Sequence, residues 1–128
     1  MRASVIGATG YTGMVLTDLL WRHPEVQMEA LTSVSYRGRS VAEVFPHLRA
    51  EGMYVEYDPA RVEGSDVAFV CYPHAEAHPV VAELAARGIR VIDLSADFRL
   101  RDVALYEEWY GFTHAYPELV AESAYGLP

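Results

Sequence analysis

The sequence has little of what builds disulfides, metal clusters or membrane spans. Its 128 residues include one cysteine, Cys71, which can form neither an internal disulfide nor a zinc cluster. The apolar runs fall far short of the ~20 residues that a membrane-spanning helix needs. Met1 and Arg2 lead directly into a strand pattern, which is not typical of a signal peptide. We therefore expect a cytoplasmic protein without a membrane partner.

Positive charge is also scarce. Ten basic side chains stand against eighteen acidic ones, so the formal net charge is −8. The resulting field opposes nonspecific binding to nucleic acid, which we exclude as a partner. An anionic ligand must therefore be bound by local donors. The length and the 52% hydrophobic content are typical of one globular domain with its own core.

A glycine-rich stretch follows the first apolar run. Val5 and Ile6 precede three glycines, Gly7, Gly10 and Gly13, and valine and leucine then recur with helical period at positions 15, 16, 19 and 20. A strand, a glycine turn and a helix in this order can present backbone N–H groups to a phosphate. The spacing is GxxGxxG rather than GxGxxG, and a tight turn without a ligand is the alternative. We predict a dinucleotide phosphate loop.

Strands and helices alternate along most of the remaining chain. The apolar patterns predict strands at 26–32, 53–57, 67–71 and 89–94, the last two buried on both faces, and helices at 12–22 and 75–87. Ser40 and Glu43 have the spacing of a capping box, Asp58 opens a turn, and Gly88 suits a helix end. This alternation predicts an α/β fold with a doubly wound, mostly parallel, Rossmann-type sheet. After Ser95 we expect two more helices, one from Asp102 to Tyr110 and one over 117–122.

The tip of the second strand bears on the choice of cofactor. NAD sites usually place an acidic residue there, about 20 residues beyond the glycines, to accept from the ribose 2′-hydroxyl. In this chain Glu29 falls inside the strand, and the tip carries Ser33, Ser35, Arg37 and Arg39. Hydroxyls and guanidinium groups suit a 2′-phosphate, so we predict NADP rather than NAD. The alternative is that both arginines are solvated loop charges.

Polar residues follow two later strands at the same predicted edge. Pro73 and His74 come after the fourth strand, and Ser95, Asp97 and Arg99 come after the fifth. Ligands of open parallel sheets bind at the carboxyl ends of strands, so these groups are candidates for the nicotinamide side. Alternatively, Asp97 and Arg99 pair with each other to hold a loop.

Three further side chains have the chemistry to react or titrate. His74 is the best candidate for a titrating group. We expect His78 on a helix surface, and the histidines lack the spacing of metal ligands. Cys71 ends an apolar strand, which favours a core thiol over a nucleophile.

Several motifs together resemble one enzyme family. They are the glycine stretch at 7–13, Pro46-His47-Leu48, Pro73-His74, the run DLSADFR at 93–99, and YGLP at 125–128. This set, in this order, resembles N-acetyl-γ-glutamyl-phosphate reductase. The resemblance implies an NADPH-dependent oxidoreductase of arginine biosynthesis, which converts a small-molecule acyl phosphate to a semialdehyde through a cysteine thioester. A sister reductase of lysine biosynthesis, acting on a carrier-bound aminoadipyl phosphate, shows much the same pattern.

The resemblance also assigns residues. It places Thr9, Gly10, Tyr11 and Thr12 in the cofactor phosphate loop and Ser33 and Ser35 near the adenosine ribose phosphate. The family's nucleophilic cysteine and catalytic histidine lie beyond the YGLP segment, so it implies no catalytic residue here. We therefore expect residues 1–128 to be the NADP-binding domain of a longer, two-domain, homo-oligomeric enzyme. A nucleotide-sensing regulator, which needs no thiol, is the competing hypothesis.

Overall fold

Five parallel strands form one sheet in the computed structural model, which describes residues 1–127. The strands are β1 (Arg2–Ile6), β2 (Gln27–Thr32), β3 (Tyr54–Val55), β4 (Val67–Val70) and β5 (Arg90–Asp93), in the order β3-β2-β1-β4-β5. The helices are α1 (Tyr11–Trp21), α2 (Val41–Val44), α3 (Pro59–Val62), α4 (Ala77–Ala86), α5 (Leu105–Tyr110) and α6 (Pro117–Glu122). The strand order confirms the predicted doubly wound α/β fold of Rossmann type.

The central strand β1 divides the core into two apolar clusters. Successive side chains of a strand point to opposite faces of the sheet. Val5 accordingly packs on one face with Leu20 of α1, whereas Ile6 packs on the other face with Val70 and with Leu84 of α4. Both faces of the sheet are thus covered near β1, and the carboxyl edge of the strands remains available to a ligand.

Helix α1 packs on the sheet through small residues. Its buried residues are Gly13, Thr17 and Leu20, so small side chains form most of the inner face. The Thr17 hydroxyl donates to the Gly13 carbonyl over 2.7 Å. Val15 and Leu19, which share the apolar pattern of the sequence, are 53% and 54% exposed. Leu16 and Leu20, from the same pattern, do pack on the core. The hydrophobic period therefore predicted the helix, but only half of its periodic residues are on the inner face.

Strand β5 differs from the expectation of a strand buried on both faces. It is an edge strand, and Ile92 is 45% exposed. Val91 packs toward α4, and the strand borders a groove of about 720 Å³ that is lined in part by Phe98, Leu119 and Tyr125. The prediction of a doubly covered strand was wrong because an apolar run does not specify whether a second layer lies over it.

Local chemistry explains most of the helix ends. The Ser40 hydroxyl accepts from the Glu43 N–H, and the Glu43 carboxylate accepts from the Ser40 N–H, which confirms the predicted capping box. Gly88 lies in the left-handed region, as predicted. The turn predicted at Asp58 is in fact the start of the short helix α3. Asp102 caps a turn at Ala104, so α5 begins two residues later than a helix capped by Asp102 would.

Within residues 1–127, no helix combines the length and the apolar character that crossing a bilayer requires.

Candidate cofactor site

Three loops leave the sheet side by side at one edge. In the strand register Ile6 is paired with Val70, and Val70 is paired with Asp93. The glycine stretch after β1, the turn after β4 and the loop after β5 therefore emerge next to one another. The Cys71 N–H donates to the Ile6 carbonyl over 2.8 Å, which continues the contact beyond the strands. This edge brings together the groups that the sequence placed at separate strand ends.

The glycine stretch is anchored to the tip of β2. The Gly7 N–H donates to the Thr32 hydroxyl over 3.1 Å, and the Ala8 N–H donates to the Thr32 carbonyl over 2.8 Å. The hydroxyls of Thr9 and Ser33 lie 2.9 Å apart and share a hydrogen bond. The loop is thus held in place by the tip of the neighbouring strand. The bonds involve the backbone and hydroxyl of Thr32 and the hydroxyls of Thr9 and Ser33.

The three glycines differ in how much space their surroundings leave for a side chain. Gly7 has a φ of 79°, and a Cβ there would lie 2.8 Å from the ring of Tyr72. A Cβ on Gly13 would collide with the Gly7 carbonyl oxygen and lie 2.7 Å from the Ala8 Cα. At Gly10 the nearest atom to a Cβ would be the Gly7 carbonyl oxygen at 3.9 Å, an ordinary contact. The fold requires glycine at the first and third positions, and it leaves open space at the second.

That open space lies at the amino terminus of α1. Gly10 is the N-cap residue, with φ −71° and ψ 166°, and the Met14 N–H makes the first helical bond, to the Gly10 carbonyl at 2.8 Å. The three preceding N–H groups belong to the unsatisfied first turn of a helix. No acidic side chain lies in this turn to oppose an anion. The donors, the helix dipole and the missing side chain together fit a pyrophosphate.

The flanking residues Tyr11 and Thr12 are exposed at the start of α1. Tyr11 is 91% exposed, which is unusual for an aromatic side chain beside a buried turn. Its ring and the Thr12 hydroxyl are therefore accessible to a ligand at the loop.

The tip of β2 carries hydroxyls and a weakly held arginine. Ser33 is 4% exposed, and its Oγ accepts from the Tyr36 N–H over 3.1 Å. Ser35 is exposed. The Arg37 guanidinium lies 3.2 Å from the Glu56 carboxylate, with both side chains more than 60% exposed. Exposed ion pairs contribute only about 0–1 kcal/mol, so a phosphate can compete for this arginine.

The opposite side of the edge is formed by the turn after β4 and the loop after β5. Pro73 and His74 are exposed, and the His74 ring lies 5.8 Å from that of Tyr110. The Ser95 hydroxyl donates to Asp93 over 2.7 Å and accepts from the Asp97 N–H over 3.0 Å. The hydroxyl proton of Ser95 is therefore already used, and a ligand there would find an acceptor.

Asp97 is buried away from the cleft, and Arg99 does not pair with it. Asp97 is fully buried, and its carboxylate accepts from the backbone N–H groups of Ala75 and His78. Arg99 is exposed, with its guanidinium 6.0 Å from the centre of the Tyr125 ring. Asp97 thus neither faces the cleft nor depends on Arg99.

Two histidines have structural roles that the sequence did not indicate. The side chain of His78 is only 13% exposed and stacks on Phe112, so the expected place on a helix surface is wrong. His114 is 6% exposed, and burial lowers the pKa of its imidazole. Both bond to Asp97, across 19 and 17 residues of sequence, a separation that no local pattern reveals. Within residues 1–127 no group of three potential metal ligands comes together.

Cys71 has the character of a core thiol, as predicted. It is half-buried, and burial together with the nearby Asp93 carboxylate raises its pKa to about 11. Desolvation also raises the pKa of Asp93. The thiolate that a nucleophile requires is therefore disfavoured at this position.

Comparison with known proteins agrees with this geometry. Residues 2–128 match the family model described as semialdehyde dehydrogenase, NAD binding domain. A solved aspartate semialdehyde dehydrogenase with NADP from Candida albicans shares the fold, with a TM-score of 0.66 and 24% identity, over 77% of this chain and 30% of that chain.

Curated relatives share much more sequence. The chain is 47% identical to N-acetyl-gamma-glutamyl-phosphate reductase of Nitrosospira multiformis and 48% identical to that of Alkalilimnicola ehrlichii. Each comparison covers all of this chain and 38% of the relative. The resemblance found in the sequence motifs is confirmed, and the chain spans well under half the length of these relatives.

Proposed function

The chain belongs to the semialdehyde dehydrogenase NAD-binding domain family, and on that premise we propose that it is the NADP(H)-binding domain of an N-acetyl-γ-glutamyl-phosphate reductase. The observation that carries the proposal is the glycine loop, in which Gly10 faces open space at a helix amino terminus while the other two glycines are needed by the fold. The names of relatives at 47% and 48% identity support the choice of reductase.

The proposed binding site extends across the carboxyl edge of the sheet. Backbone N–H groups of the first turn of α1, with Thr9 and Thr12 beside them, bind the pyrophosphate. Ser33, Ser35 and Arg37 bind the 2′-phosphate, and the sequence of this tip, residues 32–39, includes no acidic residue. Pro73, His74 and Ser95 border the nicotinamide. NADPH, when bound, supplies a hydride to the substrate carbon.

The covalent step belongs to residues outside this chain. We propose that in the full-length enzyme, a cytoplasmic homo-oligomer, a thiolate attacks the acyl phosphate and expels phosphate, and that the resulting thioester is reduced to the semialdehyde. Cys71 is unsuited to this role, because with a pKa of about 11 only about one thiol in a thousand is ionised at pH 8. These 128 residues alone should show no NADPH-dependent reduction of the acyl phosphate, and measurable turnover would refute this assignment.

Cofactor choice is tested by titrating NADP+ and NAD+ separately into the protein. We expect NADP+ to bind more tightly, because the tip of β2 offers hydroxyls and a guanidinium to a 2′-phosphate. Arg37→Ala should weaken NADP+ binding by about tenfold, the equivalent of ~1.4 kcal/mol, and leave NAD+ binding unchanged. Arg101→Ala, which removes an exposed arginine from a loop before α5, is the matched control. Equal or tighter binding of NAD+ by the unmodified protein would contradict the proposal.

A further inference from the structure

The turn after β4 contains a residue in an unfavourable backbone conformation. Ala75 has a φ of 66°, in the left-handed region that favours glycine. A residue with a Cβ stays there only when its surroundings impose the conformation. Ala75 directly follows Pro73 and His74, so the conformation sets the path of the turn that lies beside the glycine loop.

A buried carboxylate accepts a hydrogen bond from the N–H of this residue. Asp97 is 0% exposed, and its Oδ1 accepts from the Ala75 N–H over 2.8 Å. Its Oδ2 accepts from the His78 N–H over 2.9 Å and lies 3.1 Å from the His78 Nδ1. One carboxylate from the β5 loop therefore holds the turn and the first residues of α4 together. Hydrogen bonds to an ionised acceptor are stronger than those between neutral groups.

Asp97 is itself held on both sides. Its N–H donates to the Ser95 hydroxyl over 3.0 Å, and its carbonyl accepts from the His114 Nε2 over 2.8 Å. The Tyr116 N–H approaches the His114 Nδ1 at 3.1 Å, which assigns the imidazole proton to Nε2. The carboxylate is thus fixed relative to the sheet before any ligand arrives.

The position of the turn links this arrangement to the cofactor. Tyr72, just before the turn, packs against Gly7, and the Cys71 N–H bonds to the end of β1. Ser33 directly follows β2, which lies on the side of β1 opposite to β4. The turn therefore borders the half of the proposed site that faces away from the adenosine phosphate.

We propose that Asp97 is a positioning residue for the nicotinamide half of the cofactor. It holds Ala75 in the left-handed conformation and so places Pro73 and His74 beside the glycine loop, without contacting the cofactor. The inference rests on the proposed binding of NADP(H). It gives a functional role to a buried acid. The sequence pattern had predicted that this acid lies in the cleft or pairs with Arg99.

The test compares two ligands on the same protein by calorimetry. NADP+ needs both halves of the site, whereas adenosine 2′,5′-bisphosphate lacks the nicotinamide half. In Asp97→Asn one of the two backbone bonds loses its acceptor, so we expect NADP+ to bind about tenfold more weakly and the bisphosphate to change by less than twofold. A purely structural role would weaken both ligands together or neither, and either result overturns the inference. Failure of the unmodified protein to bind both ligands would instead count against the proposed function.

Two further variants separate the turn from the carboxylate. Ala75→Gly, added to Asp97→Asn, should restore most of the NADP+ affinity, because glycine adopts the left-handed conformation without restraint. Ala75→Val disfavours that conformation while leaving the carboxylate intact, so it should reproduce the selective loss of NADP+ even if Asp97→Asn does not fold. The inference is overturned if the double variant binds NADP+ no better than Asp97→Asn, or if Ala75→Val binds NADP+ normally.

Discussion

At the scale of single residues, two glycines of the same turn have different roles. Gly13 is needed for folding, whereas Gly10 leaves room for the proposed ligand. A side chain at 13 would enter the backbone of Gly7 and Ala8, where no rotamer change can relieve the overlap. A side chain at 10 would meet only ordinary contacts, on backbone angles that alanine adopts readily. The same substitution therefore has different consequences three residues apart.

We expect Gly13→Ala to lower the free energy of unfolding by at least about 1–3 kcal/mol, the cost of overpacking against rigid atoms. Gly10→Ala should change it by less than about 1 kcal/mol, because lost backbone freedom in the unfolded chain offsets a poorer cap. Urea denaturation of the three proteins without cofactor measures both values. Equal destabilisation by the two variants would contradict the distinct roles of the glycines.

The sequence revealed these glycines because their spacing is local. It also marked Ser33 as a polar residue at a strand tip, but the hydrogen bond between the hydroxyls of Thr9 and Ser33 spans 24 residues and had no local signal. The ring of Tyr72 over Gly7 is a contact of the same kind. Contacts between different loops depend on which strands are neighbours in the sheet. No local sequence pattern specifies that order.

At the scale of secondary-structure elements, helix ends were the most predictable features. The capping box at Ser40 and the left-handed Gly88 follow from bonds within a few residues. The inner face of α1 had no clear signal and the exposure of β5 was misjudged, because each depends on what packs against the element. A glycine allows α1 to approach the sheet, and the position of β5 at the sheet edge leaves Ile92 exposed.

The capping box provides a test at this scale. Ser40→Ala removes the acceptor for the Glu43 N–H and should lower the free energy of unfolding by about 1 kcal/mol. Bonding to Ser40 lowers the pKa of Glu43, so the carboxylate's contribution is present above the unfolded pKa and is lost as pH falls through the folded one. The bond from the Ser40 hydroxyl to that carboxylate titrates, whereas the bond from the Glu43 N–H to the hydroxyl does not. The difference between the variant and the unmodified protein should therefore shrink in acid without vanishing. Ser35→Ala, an exposed serine in the preceding loop, serves as the control in thermal melts. Equal stability of the variant and the unmodified protein at neutral pH would argue against the box.

At the scale of the whole molecule, the segment after β5 is joined to the sheet through buried polar groups. His114 donates to the Asp97 carbonyl and lies among the rings of Phe98, Tyr106 and Phe112. Burial lowers its pKa, and the neighbouring His78 acts in the same direction. His114 is therefore buried as a neutral imidazole, and protonating it is costly in the folded state.

This arrangement predicts a pH-dependent stability. The folded pKa of His114 lies below the unfolded value, so the unfolded chain takes up the proton first and stability is lost as pH falls below about 6.5. The slope due to one proton is at most about 1.4 kcal/mol per pH unit. His114→Gln should flatten the profile between pH 7.5 and 5.5, whereas His47→Gln, at an exposed site, should not. Parallel profiles for all three proteins would show that His114 is not the titrating group.

We propose that the open space at Gly10 accommodates the cofactor pyrophosphate. The most direct measurement is a calorimetric titration of NADP+ into the unmodified protein and into Gly10→Ala, with the fold of each verified by circular dichroism. We expect saturable binding by the unmodified protein and a loss of at least about tenfold in affinity for the folded variant, since a Cβ would stand where the phosphate approaches. Unchanged NADP+ affinity in a folded Gly10→Ala protein would contradict it.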